Sequence, residues 1–116
     1  MKRKLTISEV IEKKSAILHS DGLKLYGFIS DGYKESDKIE ISFKGLMYCT
    51  SAFLNASIGK FLMDASKPDV VIKHLKYSDI TDTTINDKIK QIYEFVTDEK
   101  KRAIHKKNLR KDKIYA

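Results

Sequence analysis

Three residues with reactive or modifiable side chains stand together in the least polar stretch of the chain, Tyr48 to Leu62. Cys49, Thr50 and Ser51 place a thiol and two hydroxyls directly before an apolar helical pattern. A thiol becomes a nucleophile when a neighbouring base or cation lowers its pKa. A hydroxyl at a helix start either caps the helix or accepts a phosphoryl group. Both alternatives stay open for Thr50 and Ser51, while Cys49 is interpreted as a small buried side chain.

No other group of side chains in the sequence assembles into a catalytic or metal site. The three histidines, His19, His74 and His105, have no second ligand at helical spacing and no recognisable spacing to Cys49. The five glycines are isolated, so no phosphate-binding loop is present. We therefore predict a protein that is not an enzyme and that uses no metal or cofactor.

The positive charge of the chain is concentrated at its C-terminus. Residues 1–99 contain 15 Lys and Arg and 15 Asp and Glu, whereas residues 100–116 contain 8 Lys and Arg and a single acid, Asp112. Such a basic segment either binds nucleic-acid phosphates or is a solvated helix end that the helix dipole favours. The candidate phosphate-binding residues are Lys100, Lys101, Arg102, Lys106, Lys107, Arg110, Lys111 and Lys113.

The elements that would position the hydroxyl cluster follow from hydrophobic spacing. A helix from Ser20 to Gly32 places Leu25, Phe28 and Ile29 on one face. The segment "KIEISFKG" alternates, which predicts a strand with one buried face. Its inward residues would be Ile39, Ile41 and Phe43, and its outward residues Lys38, Glu40, Ser42 and Lys44.

Two more helices and a second strand are predicted downstream. Leu54, Ile58, Phe61 and Leu62 form the stripe of an amphipathic helix, in which the small Ala56 and Gly59 allow close packing. Pro68 limits that helix, and "DVVIKHL" from Asp69 to Leu75 is a strand candidate. A last helix is indicated by Ile85, Ile89, Ile92, Tyr93 and Val96. Residues 1–18 fit either a strand or a helix begun by Thr6 and Glu9.

This order of elements predicts an α/β fold, with helices packed on a small mixed sheet. The expected organisation is one α/β domain over residues 1–99, followed by a basic C-terminal helix end or tail over residues 100–116. No apolar run approaches the length of a membrane span, so we expect a cytoplasmic protein that makes no membrane contact.

The stretch around the hydroxyl cluster resembles the STAS-like domain family of unknown function, which is related to the bacterial anti-sigma-factor antagonists. Its pattern is an alternating strand ending near a Gly, a Ser/Thr cluster, and a helix with spaced apolar residues. The matching positions are Ile41, Phe43 and Gly45 in the strand, Thr50 and Ser51 in the cluster, and Phe53, Leu54, Ile58, Gly59 and Phe61 in the helix.

The resemblance implies a regulatory protein–protein interaction module with no catalytic activity. Ser51 is the position that resembles the phosphoacceptor, and Thr50 stands where the antagonists carry an Asp. By the same analogy a histidine-kinase-like ATPase is a plausible partner, and phosphorylation of Ser51 or Thr50 would switch its binding. The expected partner-binding residues are Tyr48, Cys49, Thr50, Ser51 and Asn55. A nucleic-acid-binding accessory protein that acts through the basic segment is the alternative.

Overall fold

A computed structural model describes residues 2–35, 38–99, 101 and 103. Helices and strands alternate along these residues, which confirms the predicted α/β class. In chain order they are β1 (Lys2–Thr6), α1 (Ile7–Ile11), β2 (Ser15–Ala16), α2 (His19–Glu35), β3 (Lys38–Ser42), β4 (Tyr48–Cys49), α3 (Ser51–Leu54), a π-helical segment (Asn55–Gly59), α4 (Lys60–Asp64), α5 (Pro68–Ile72), β5 (Leu75–Ser78) and α6 (Thr83–Thr97). The three consecutive segments from Ser51 to Asp64 are called the central helix below.

The main sheet has three strands in the order β1-β3-β5. The sequence analysis predicted a mixed sheet. Every strand pair in the described part of the chain is parallel, so that detail of the prediction was wrong. Because β3 lies between two neighbours, its backbone is paired along both edges. The separate pair β2-β4 is also parallel and aligns Ser15 with Tyr48 and Ala16 with Cys49.

The core lies between the main sheet and the helices, and the predicted apolar stripes supply most of it. In the central helix Phe53, Leu54, Ile58 and Leu62 are fully buried. The last helix buries Ile85, Ile89, Ile92 and Val96, as its spacing predicted. In α2 the structure buries Leu25 and Ile29 but leaves Phe28 41% exposed, so Phe28 does not share their burial although its spacing placed it on the same face.

Helix α2 approaches the central helix closely at Gly22. A Cβ atom added to Gly22 would lie 2.7 Å from the Ala56 Cβ and 2.7 Å from the Phe53 carbonyl oxygen. The small Ala56 thus permits close packing, as predicted. Gly59 does not, because an added Cβ there would meet only its own helix, at 3.6 Å or more.

Residues 1–18 contain both of the elements between which the sequence analysis did not decide. Lys2–Thr6 is an edge strand of the main sheet and Ile7–Ile11 is a short helix. Thr6 occupies the N-cap of that helix, but its side chain makes no capping hydrogen bond, so the capping box does not form. The helix ends at Glu12, which adopts the left-handed conformation with φ 58°.

Two predicted boundaries were wrong for a physical reason. Pro68 is the first residue of α5, a position where its missing N–H costs no hydrogen bond, so Asp69 to Ile72 are helical and the strand begins only at Leu75. Gly32 does not end α2, which continues to Glu35. Gly32 is instead a close-packed position, where an added Cβ would lie 3.0 Å from the Ile39 side chain.

Within the described residues, no helix combines the length and the apolar character that crossing a bilayer requires.

Candidate functional site

Thr50 joins the end of β4 to the start of the central helix. Its backbone N–H donates to the Ala16 carbonyl oxygen at 3.0 Å, which continues the β2-β4 ladder by one more bond. Its hydroxyl donates to the Ile17 carbonyl oxygen at 3.0 Å and accepts from the Phe53 N–H at 3.2 Å. Thr50 is therefore the N-cap, which confirms the capping interpretation for this residue.

Ser51, the first residue of α3, differs from Thr50 in its surroundings. It is exposed, whereas Thr50 is partly buried and its hydroxyl makes two hydrogen bonds to backbone groups. A phosphoryl group on Thr50 would replace the hydroxyl proton that is donated to the Ile17 carbonyl oxygen, whereas one on Ser51 would extend into solvent beside the first turn of the helix. Ser51 and Asn55 lie along the same groove of the surface.

An exposed apolar surface lies beside this helix start, where β2 and β4 pair. The backbone N–H of Met47 donates to the Lys14 carbonyl oxygen at 2.7 Å, which places the residues before β4 alongside those of β2. The surface consists of Ile17, Leu18, Met47 and Tyr48, which are 47%, 53%, 66% and 63% exposed. We call these four residues the junction surface. Large apolar side chains that are exposed on neighbouring segments are typical of a protein-binding surface.

Cys49 packs partly against the core rather than joining the exposed surface. Burial raises the pKa of its thiol to about 11, because desolvation outweighs the opposing effect of the Lys88 ammonium. The Lys88 Nζ donates to the Cys49 carbonyl oxygen at 3.2 Å. At neutral pH the sulfur is a protonated thiol, which is a poor nucleophile.

The carboxyl ends of β3 and β5 meet close to Cys49. The Ser42 hydroxyl donates to the Asp79 carboxylate at 2.6 Å, and Asp79 has a positive φ of 59°. Ser42 is fully buried, although the alternation of β3 predicted an exposed side chain. Asp82 accepts from the Thr84 N–H at 3.0 Å and caps α6, and these bonds hold the pKa of Asp82 below its usual value. Ser42, Asp79 and Asp82 therefore each have a hydrogen-bond partner within the fold.

The structure brings Thr50, Ser51 and Asn55 together on one helix start, with Tyr48 on the adjoining junction surface. Of the five predicted partner-binding residues, Cys49 is the one whose side chain contributes to the core. In the described part of the chain, no group of three or more His, Cys, Asp and Glu residues is placed to hold a metal ion.

Sequence reasoning did not identify Ile17, Leu18, Met47 and Lys88 as neighbours of this site. The two-residue strands that bring the apolar residues together are too short to show a periodic pattern. A signal was present in the adjacent apolar pairs Ile17-Leu18 and Leu46-Met47, which lie outside any helical stripe. Most of the predicted nucleic-acid-binding residues lie outside the described residues, and Lys101 is the one that the structure describes.

Comparison with known proteins gives one family. A model described as a STAS-like domain of unknown function (DUF4325) matches residues 21–84, which is more than half of the chain. The match includes α2 from Asp21 onward, the main-sheet strands β3 and β5, the helix start with Thr50 and Ser51, and the N-cap of α6. Neither the curated proteins nor the solved structures include a significant match.

Proposed function

The chain belongs to the STAS-like domain family of unknown function, and from this premise we propose that it is a regulatory module that binds a partner protein and catalyses no reaction. The binding surface is the junction surface together with the first turn of the central helix. The partner we propose is a histidine-kinase-like ATPase, by analogy with the anti-sigma-factor antagonists that the sequence resembles.

The observation that carries this proposal is the exposure of Met47 and Tyr48 next to the Thr50 cap. These side chains are 66% and 63% exposed although both are large and apolar enough to be buried. Aromatic residues and Met are enriched in protein interfaces, and a tyrosine buries a large area at a small cost in side-chain entropy. The two backbone bonds of the Thr50 hydroxyl hold the helix start rigidly beside them.

Ser51 is the proposed switch residue. An exposed hydroxyl on the first residue of a helix accepts a phosphoryl group without breaking a structural hydrogen bond. A phosphoserine brings nearly two negative charges to the edge of the junction surface, and these would have to be desolvated when a partner binds there. Phosphorylation of Ser51 therefore weakens the complex and leaves the fold unchanged.

The absence of catalysis is part of the proposal, and the environment of Cys49 supports it. Burial raises the pKa of this thiol to about 11, whereas a catalytic thiol needs a lowered pKa.

Site-specific photo-crosslinking in the source cells tests the proposal. A photoreactive phenylalanine analogue replaces Tyr48 in one variant and the exposed Lys73 in a control. We expect Tyr48 to give one discrete crosslinked protein that mass spectrometry identifies as an ATPase, and Lys73 to give none. Failure of Tyr48 to crosslink any discrete protein would contradict the assignment of the junction surface as the binding surface.

The switch is tested by measuring the affinity of the purified protein for the partner that crosslinking identifies. Ser51→Asp should weaken binding by about tenfold or more, because it places a negative charge at the edge of the interface. Ser57→Asp is not a usable control, since that serine is buried, so Ser66→Asp on the exposed surface serves instead. Equal affinities for the wild type and Ser51→Asp would contradict the switch and leave the interaction itself standing.

A further inference from the structure

A groove of about 950 Å3 follows the outer face of the central helix. The central helix forms its floor, α2 forms one wall with Leu23, and α6 forms the other wall with Ile92 and Phe95. At about 1.5 Å per residue the floor from Ser51 to Asp64 is roughly 20 Å long.

The floor of the groove is lined in part by residues with short side chains. Ala52, Asn55 and Gly59 face the groove and leave room for another backbone to approach closely. The walls present the apolar Leu23, Ile92 and Phe95, of which Leu23 is 39% exposed, beside the polar His19, Lys88 and Gln91. The groove thus offers a long apolar contact surface between two helical walls.

The secondary structure of the walls determines what kind of segment fits. All lining residues belong to α2, the central helix or α6, whose backbone groups bond within their own helices. An extended peptide needs backbone partners at a strand edge, and these walls contain no strand. A helix satisfies its own backbone and needs only an apolar face, so the matching occupant is an amphipathic helix.

The charged residues of the groove favour an acidic occupant. Among the described residues, Lys60 and Lys88 line it, and Asp64 is the one carboxylate that does so. That carboxylate already accepts a 2.6 Å hydrogen bond from the Tyr26 hydroxyl and lies 3.8 Å from the Lys60 Nζ. The Lys88 Nζ donates to a neutral group, the Cys49 carbonyl oxygen.

The cationic character of the groove is local. Asp82 is close enough to sense the charge of Lys88, but it lies outside the groove and is bound by Thr84. Residues 1–99 carry equal numbers of basic and acidic side chains. The surplus of cations along the groove is therefore a property of this surface and not of the domain as a whole.

We propose that this groove binds an acidic amphipathic helix of the partner protein. The apolar face of that helix packs between Leu23 and Phe95, and a carboxylate beside this face pairs with Lys88. This inference rests on the proposed function and specifies the chemistry of the partner. It also links the switch to the groove, because Ser51 lines the end that Lys88 occupies. A phosphoryl group on Ser51 would repel the partner's carboxylates and compete with them for Lys88.

A selection from a display library of helical peptides of about 14 residues, matched to the groove length, tests this proposal with the full chain as bait. We expect the enriched peptides to carry net negative charge and apolar residues at positions i, i+3 or i+4, and i+7. Enrichment of neutral or basic peptides, or no enrichment at all, would overturn the proposal.

Fluorescence anisotropy with the enriched peptides then locates their binding site. Lys88→Glu should weaken binding by about tenfold or more, whereas Lys90→Glu, on the same helix but outside the groove, should not change it. Leu23→Glu should abolish binding, whereas Val70→Glu, at another exposed aliphatic residue outside the groove, should not. Binding that survives both groove substitutions overturns the proposal.

The two proposals fail separately. If Tyr48 crosslinks a partner in cells but the selection yields no acidic helix, only the groove assignment is wrong. If Tyr48 crosslinks no protein while acidic helical peptides still bind the groove, the groove assignment stands and the assigned junction surface is wrong.

Discussion

The Thr50 hydroxyl bonds the Ile17 carbonyl oxygen at 3.0 Å and the Phe53 N–H at 3.2 Å, so one side chain connects the end of β2 to the start of the central helix. The hydroxyls of the adjacent residues Thr50 and Ser51 therefore have different surroundings. Thr50 has a structural role in the fold, and Ser51 is the exposed residue to which we assign the proposed switch.

Replacing Thr50 should destabilise the domain, and replacing Ser51 should not. Thr50→Ala removes the cap and leaves two backbone groups without this partner, which costs about 1–2 kcal/mol of unfolding free energy. Ser51→Ala at the exposed neighbouring position should change it by less than about 0.5 kcal/mol. Urea unfolding followed by circular dichroism measures both. Equal losses in the two variants would contradict the assignment of Thr50 as the cap.

Gly22 should not tolerate a methyl group. Its added Cβ would lie 2.7 Å from both the Ala56 Cβ and the Phe53 carbonyl oxygen, so α2 would have to move away from the central helix. We expect Gly22→Ala to cost about 1–3 kcal/mol. The matched control is Gly27→Ala in the same helix, where no atom lies within 4 Å and the substitution should stabilise the domain by about 0.5–1 kcal/mol. Similar shifts of the urea midpoint would argue against close packing at Gly22.

Cys49 should be unreactive in the folded protein. Because burial raises the pKa of its thiol to about 11, the thiolate is scarce at neutral pH. Iodoacetamide should label the native chain more slowly than the urea-unfolded chain, with the native rate rising as the pH approaches about 11. Lys88→Met removes a charge that lowers this pKa, so it should slow the labelling further. Faster labelling of the native chain would reveal an activated thiol.

The stability of the domain should decline at alkaline pH through the pair Tyr77 and Tyr93, whose hydroxyls lie 2.5 Å apart between β5 and α6. Burial raises the pKa of Tyr77 well above its usual 10.0, and it raises the pKa of Tyr93 as well. The unfolded chain therefore loses these protons first as pH rises. The resulting stabilisation is complete below pH 10 and is lost above it.

Tyr77→Phe tests that dependence by urea unfolding at pH 8 and above pH 10. At pH 8 the variant should lose about 1 kcal/mol, because the Tyr93 hydroxyl loses its partner, and its alkaline decline should be shallower. Tyr48→Phe, at an exposed tyrosine, should behave as the wild type does. An unchanged alkaline slope in Tyr77→Phe would exclude this pair as the source.

Deleting residues 100–116 separates the interaction module from the alternative of nucleic-acid binding. The segment carries the whole net charge of +7, so retention on heparin should disappear with it. Binding to the crosslinked partner should remain, because the junction surface and the groove lie within the described residues up to Phe95. Loss of partner binding on deletion would move the interface to the basic segment.

Spacing of apolar residues predicted the elements that form the core. Leu54, Ile58 and Leu62 repeat at helical intervals, and the burial of such a stripe depends little on which neighbour covers it. The same reasoning could not decide the secondary structure after Pro68. A proline has no backbone N–H, so it is excluded from the interior of a helix but accepted at its first position. The prediction that Ser42 is exposed was wrong, because the burial of Ser42 depends on a hydrogen-bond partner, Asp79, that is 37 residues away in the chain.

The candidate site was predictable only where local rules apply. A hydroxyl before an apolar helical stripe predicted the Thr50 cap, since capping involves residues within one turn. The junction surface arises from pairing between β2 and β4, and neither strand is long enough to show alternation. Lys88 reaches Cys49 from a helix 39 residues away, and nothing in the charge pattern of α6 indicates that contact.

The π-helical segment Asn55–Gly59 accommodates one extra residue within the central helix. A π turn contains one residue more than the α turn it replaces and rotates less per residue, so both turns carry the chain through about the same angle. Removing one residue there would restore a regular α-helix and leave Lys60 and Met63 on the face that they share with Ser51. A related chain with a one-residue gap in this segment would thus keep the same recognition surface, whereas a gap just after Lys60 would rotate every later side chain by about 100°.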